Sequence, residues 1–213
     1  MQRLGPDGLK KVLAQHKLAL GSFSVYNAGF PRYADFIGKF GGGMVVRESA
    51  YGKIDPAELR ARMKAFFEQL NPQIEQAGQA KAQLAIENHG DALLSTVDSF
   101  KAFVDLNPAP RVVGIALAPY HLQAIKASVE EVIALCGAQL LFFYAWQNAP
   151  GFQQFPGHGT TDFTPWLKAL AKIGYAHYVN PFMHGHAPAE EMSAAVAKAR
   201  AYLKECHGKA VSR

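Results

Sequence analysis

Cysteine is nearly absent. The two in 213 residues, Cys136 and Cys206, exclude a disulfide framework and any cysteine-based zinc finger. No apolar run approaches the length of about eighteen residues that a membrane-spanning helix needs, so no membrane partner is expected. The opening MQRLGPDGLKK has no apolar core behind its charges and is not a secretory signal. Charge is sparse as well: 22 Lys+Arg against 17 Asp+Glu make 18% of the chain and a net +5. The excess is scattered, with small concentrations at Lys10/Lys11/Lys17 and from Lys198 to Arg213. No basic stripe interleaves with aromatics, so a nucleic-acid partner is not expected and the charge reads as solubility. What the chain has in quantity is apolar residues, 49% of it, enough for one sizeable core. The expectation is a cytosolic protein with a single globular domain over 1–205 and a frayed tail over 206–213.

Short β-rich runs recur at Leu18–Tyr26, Met44–Ser49, Gln83–His89, Val112–Pro119, Gln139–Gln147 and Tyr178–Phe182. Helical spacing fills the intervals. The clearest helix starts at Asp55, with Pro56 in its first position and Glu58 closing a capping box. Its apolar stripe is Leu59, Met63, Phe66, Phe67, Leu70 and Ile74, and Pro72 is expected to kink or break it. Ser95 and Asp98 read as a box ahead of Phe100, Phe103 and Val104, and Asp162 or Thr164 as the cap of a helix carrying Phe163, Trp166, Leu167 and Leu170. Strands alternating with helices imply βαβ units and a parallel sheet, and few charges within the strands imply that both faces are covered.

Polar residues gather at the C-terminal ends of these strands: Arg47 and Glu48, then Glu87, Asn88 and His89, then His121, then Trp146 and Gln147, then Asn180 and His184. In parallel α/β folds the site lies at those ends. Gly41-Gly42-Gly43 precedes a strand and lacks a following Lys-Ser/Thr, so it reads as a helix C-cap and turn, and no nucleotide cofactor is implied. Ser24 and Ser95 lack a glycine elbow. Cys136, ahead of Gly137, reads as buried packing.

The segment LAIENHGDALLST resembles the fifth-strand segment of the xylose-isomerase-like TIM barrels, the sugar phosphate isomerase/epimerase superfamily. VGIALAPYH is similar to their sixth-strand D-P-x-H segment, and LLFFYAWQ stands in the place of their seventh-strand H-x-K-D segment. PGHGTTDFTPWLKALAKIGY resembles the stretch that leads into their last strand. The similarity runs from about Leu9 to Leu203. It implies an α/β TIM barrel whose six recognisable strands are the third to the eighth, with the first two βα units missing. Three explanations stand beside one another: a truncated gene, a homo-oligomer that covers the open edge, or a short natural variant. Truncation is the one favoured.

The resemblance also implies a carbohydrate substrate and a divalent metal held by a glutamate, an aspartate, a histidine and a second glutamate, with carboxylates moving protons beside a carbonyl. Carried over, Glu87 matches the first ligand. The aspartate falls at Ala118, the histidine at Tyr144, and the last glutamate near Phe182, or at Asn180 or His184 with a slip of two. His121 matches a histidine that touches substrate. Three of the four ligands are therefore missing. Strand parity allows Glu87, His89, His121 and His184 to converge instead, a set suited to zinc, manganese, iron or cobalt.

The expected assignment is Glu87 and His121 as catalytic, Glu87 and His184 as metal-binding, and His89, Trp146, Gln147 and His158 as substrate-binding. Trp146 would offer an aromatic face to a sugar ring, while Tyr144 reads as core packing; the plainer alternative for Glu87, ranked below a functional role, is a mouth acid paired with a basic neighbour such as Arg47. The function expected is a sugar, sugar phosphate or polyol isomerase or epimerase with an altered metal site; the alternative is a barrel that binds a carbohydrate or a partner without turnover.

Overall fold

The computed structural model describes residues 3–26, 29–52 and 54–212. Six parallel strands lie side by side in chain order: β1 (Phe23–Ser24), β2 (Gly43–Glu48), β3 (Ala82–Glu87), β4 (Val113–Leu117), β5 (Leu140–Ala145) and β6 (Val179–Pro181). Around them run α1 (Gly5–Gln15), α2 (Ala34–Phe40), α3 (Leu59–Gln79), α4 (Val97–Leu106), α5 (Pro119–Ala124), α6 (Val129–Cys136), α7 (Thr164–Lys172) and α8 (Ala189–Val211). The architecture is the expected α/β type, a curled half-barrel. Among the described residues β1 and β6 are its two edges. They come near each other at the N-terminal end, where a methyl group on Gly21 would touch the Tyr178 ring at 3.5 Å.

Alternation along the strands divides the apolar residues between two layers. Val45, Leu84, Ile86, Val113, Ile115, Leu117 and Phe143 belong to the outer core beneath the helices. Val46, Ala85, Ala116, Ala118, Phe142, Tyr144 and Trp146 fill the barrel interior. With both layers apolar, β4 and β5 are buried at every position, which is why their sequences show no polar alternation.

Two glycines are dictated by close approach. A Cβ on Gly42 would lie 2.1 Å from the Lys81 carbonyl oxygen. One on Gly114 would lie 2.4 Å from the Gln139 oxygen and 2.5 Å from Leu141 Cγ, beside the register shift at Ile115/Ala116. Gly41, left-handed at φ 114°, caps α2 as its sequence context indicates.

Several local expectations need correction. Both edge strands are shorter than their apolar runs, because each has a single neighbour to pair with and Pro181 has no N–H to donate. Pro72 does not break α3. Its site is exposed, so water can reach the carbonyl it frees. Losing the helix would cost more than keeping the proline: burial of Met63, Phe66, Phe67 and Leu70 contributes about 6–12 kcal/mol against roughly 3 for an interior proline. Residues 56–58 form a 3₁₀ turn in which Asp55 accepts from the Ala57 N–H, with no capping box from Glu58. The box on α4 is built by Thr96 and Ser99, one residue on from the expected pair. Finally, Cys206 is buried and α8 continues to Val211, so this stretch is helix where a frayed tail was expected, though most of its residues after Cys206 are exposed; Arg213 lies outside the described residues.

Candidate active site

Glu87 ends β3 on the barrel-facing side, in the row of Ala85, and is 8% exposed. Its neighbours in the adjacent strand, Ala116 and Ala118, end at a Cβ. Side chains from β3 and β5 therefore meet over β4, the layered arrangement that alternate strands make inside a barrel. The Tyr144 hydroxyl donates to Glu87 Oε2 at 3.2 Å. The Tyr26 hydroxyl, from the loop after β1, also donates to Oε2 and lies 2.9 Å from the Tyr144 hydroxyl. Three oxygens from three non-adjacent strands thus form one cluster. Burial raises the Glu87 carboxyl above its ordinary range, the two phenol hydrogen bonds and His89 oppose that rise, and Glu48 adds to it. Both phenols are pushed well above their ordinary value, by burial first and by Glu87 second, so they remain protonated donors.

Beside this cluster stands a group of rings. His121, on the first turn of α5, is 8% exposed. Its ring centroid lies 4.2 Å from that of His89 and 5.3 Å, edge-on, from Trp146. Trp146 stacks on Tyr120 at 4.2 Å, and His184 meets it edge-on at 4.6 Å. Burial, and then the neighbouring His89 and His184, lower His121 to a pKa of about 4, so it is neutral at pH 7. Its Nε2 is buried and has no hydrogen-bond partner among the described residues.

The expected site residues divide. Glu87, His121, His89, Trp146 and His184 come together at the mouth, with His89 half-buried and bonded through Nδ1 to the Gly90 oxygen, and His184 exposed. Gln147 and His158 do not face it. Both ends of the Gln147 amide are taken by the following loop, at the Phe155 oxygen and the Thr161 N–H. His158 Nε2 meets the Ala195 oxygen of α8 at 3.1 Å, tying that loop to the helix. Arg47 is not the partner of Glu87: it bonds Gln73 and the Glu48 carbonyl. Tyr144 is buried, as core packing requires, yet its hydroxyl is a polar member of the site.

Three contributors were given no role from sequence. Tyr26 lay at the end of the first run. Glu48 pairs in register with Glu87, so parity alone places both carboxyls on one face. Gln154 accepts from Trp146 Nε1 at 2.8 Å and from the His184 N–H at 3.0 Å, joining the end of β5 to the loop after β6; no local pattern marks it.

The donor set does not fit a four-ligand metal centre. Where the resemblance puts the other three ligands stand Ala118, Tyr144 and one of Asn180, Phe182 or His184, and Asn180 is the one opposite Tyr144 in the strand register. Tyr144 directs its hydroxyl at Glu87. No group of three or more His, Cys, Asp or Glu side chains among the described residues is arranged to hold a metal.

Comparison with known proteins agrees with this architecture. The family model described as the xylose isomerase-like TIM barrel matches residues 8–206. No curated protein sequence matches the chain. Among solved structures, the chain is similar to 3-keto-D-glucoside 4-epimerase from E. coli, with TM-score 0.71 and 16% identity over 92% of this chain and 84% of that one. It is similar to an L-ribulose 3-epimerase, with TM-score 0.71 and 19% identity over 95% and 79%. It also resembles the IolI protein, whose structure holds a zinc atom, with TM-score 0.66 and 16% identity over 97% and 87%. At these identities the likeness is one of fold.

Proposed function

Starting from a chain that belongs to the xylose isomerase-like TIM barrel family, we propose that its barrel mouth performs proton transfer beside the carbonyl of a small sugar, an isomerase or epimerase reaction centred on Glu87. The observation that carries this reading is the placement of Glu87. The Glu87 carboxylate sits at the catalytic end of the barrel with Oε2 held by two phenols, while Oε1 takes no hydrogen bond from the described residues. The held oxygen fixes the orientation of the group, and the open one can accept a proton. A carboxyl raised by burial is also a better base than an exposed one once ionised.

The other groups have supporting roles. Neutral His121 carries an unpartnered nitrogen suited to a sugar hydroxyl. Trp146, 1% exposed, backs the half-buried Tyr120, and it is the Tyr120 ring that would meet the C–H face of a sugar. Glu87 would take the proton from the carbon beside the carbonyl and return it on the same side to the neighbouring carbon, with the hydroxyl proton passing between the two enediol oxygens; epimerisation by this one base requires the enediol to turn its other face to Glu87 before the proton returns. No step of this reading runs through a metal.

The test is deuterium uptake from D2O at that carbon, followed by proton NMR for D-fructose, D-psicose, D-tagatose and L-ribulose. Uptake is expected for at least one ketose, falling by about 100-fold or more in Glu87→Gln. Full uptake by Glu87→Gln would refute the assignment. Saturable binding of a ketose with no uptake would instead favour a barrel that binds without turnover, the reading that the three changed ligand positions support.

A further inference from the structure

We propose that Tyr144 and Tyr26 replace the metal ion of this barrel type as the electrophilic half of the site: the Tyr144 hydroxyl donates to the sugar's carbonyl oxygen as it becomes an enediolate, while Tyr26 retains Oε2 of Glu87. The inference rests on the proton-transfer reading above and assigns that reaction's charge stabilisation to two residues of this chain.

The geometry of the cluster supports it. Tyr144 occupies the position that the resemblance gives to the third metal ligand, and its side chain spans the strip left bare by Ala116 and Ala118 to reach Glu87. Two phenol protons face a single carboxylate oxygen. The Tyr144 bond to Oε2, at 3.2 Å, is longer than an ordinary O–H···O bond, so it is the weaker one and costs least to redirect. The Tyr26 hydroxyl, 2.9 Å from that of Tyr144, stays with Oε2, so Glu87 keeps one donor when Tyr144 turns to the substrate. Tyr144 is fixed by the Phe142, Phe182 and Trp146 rings, with centroids at 4.9, 5.2 and 6.4 Å, so the donor is positioned before the ligand arrives. A preorganised donor in a water-poor site is the condition under which a hydrogen bond stabilises developing charge most. Tyr26, 39% exposed, extends the cluster to the surface.

The step balances without any co-reactant. The C–H bond beside the carbonyl breaks, its proton passes to Oε1 of Glu87, and its electron pair forms the enediolate double bond. The carbonyl π pair moves onto oxygen, which accepts the Tyr144 hydrogen bond. Return of the proton from Glu87 to carbon restores both groups.

The experiment measures deuterium uptake by the same four ketoses, for wild type, Tyr144→Phe and Tyr26→Phe, each with excess EDTA and with added Mn2+ or Zn2+. The expected result is wild-type uptake indifferent to EDTA, with kcat lowered about 10²- to 10³-fold in Tyr144→Phe at nearly unchanged KM. Tyr26→Phe should show a smaller loss, also in kcat. Uptake abolished by EDTA and restored by metal would overturn the proposal while leaving proton transfer by Glu87 standing. Wild-type kcat in Tyr144→Phe would overturn it as well. Absence of uptake in wild type under every condition would overturn both readings. Thermal midpoints of the variants establish that each is folded; should Tyr144→Phe fail to fold, Tyr26→Phe and the chelator comparison still decide the matter.

Discussion

Acid should destabilise this protein through His121, and by an amount the site permits us to state. The ring is packed against His89 and Trp146, and burial with the nearby His89 and His184 lowers its pKa from 6.5 to about 4. A folded-state value below the unfolded one means that the folded chain resists a proton that the unfolded chain accepts. The contribution is intact above about pH 6.5 and drains as pH falls toward 4. Linkage between these two values makes the loss from pH 7 to pH 5 about 2 kcal/mol, an upper figure because solvent reaching the ring screens part of it. With an urea m-value of about 2–3 kcal/mol/M, the midpoint should drop by somewhat under about 1 M more in wild type than in His121→Phe, which keeps the ring but cannot titrate. Comparing the two proteins at both pH values cancels the titration of the other groups. Parallel losses in the two proteins, or an NMR titration of the His121 ring near 6.5, would refute the reasoning.

Two further predictions concern the frame of the site. Gln154→Ala strips hydrogen-bond partners from the Trp146 indole N–H and the His184 N–H together, so a loss of about 1–3 kcal/mol and a changed Trp146 fluorescence are expected; an unchanged urea midpoint would show that water replaces the amide without cost. Gly114→Ala drives a methyl group to 2.4 Å from the Gln139 oxygen, and a destabilisation of about 1–3 kcal/mol should appear in thermal unfolding, with β4 and β5 losing hydrogen-exchange protection first.

How the sequence relates to the fold is clearest at particular elements. The runs around Met44–Ser49, Gln83–His89, Val112–Pro119 and Gln139–Gln147 all became strands because β-rich composition and two covered faces are local properties. The edge strands came out shorter because pairing depends on a neighbour, which no local window contains. That α3 runs on through Pro72 has a related reason: the local cost of the proline is visible in sequence, whereas the burial of Met63 and Phe66 that outweighs it arises only when α3 meets the sheet.

The site divides along the same line. Chain order, strand parity and the clustering of polar residues at strand ends were enough to bring out Glu87, His121, His89, Trp146 and His184, since each depends only on its own strand or the turn after it. The partners of Glu87 were not visible in this way. Tyr26 and Tyr144 lie 61 and 57 residues from it along the chain. They meet it because the sheet curls and because Ala116 and Ala118 leave the space between β3 and β5 clear. Gln147 and His158 show the converse: their residue types suit a binding site, but the loop after β5 folds back and consumes their polar atoms. Sequence alone determined which side chains could reach the barrel mouth, because pleat and helix periodicity act over a few residues; which of them touch was decided by the curvature of the sheet and by the small residues between them, properties that exist only once distant strands are side by side.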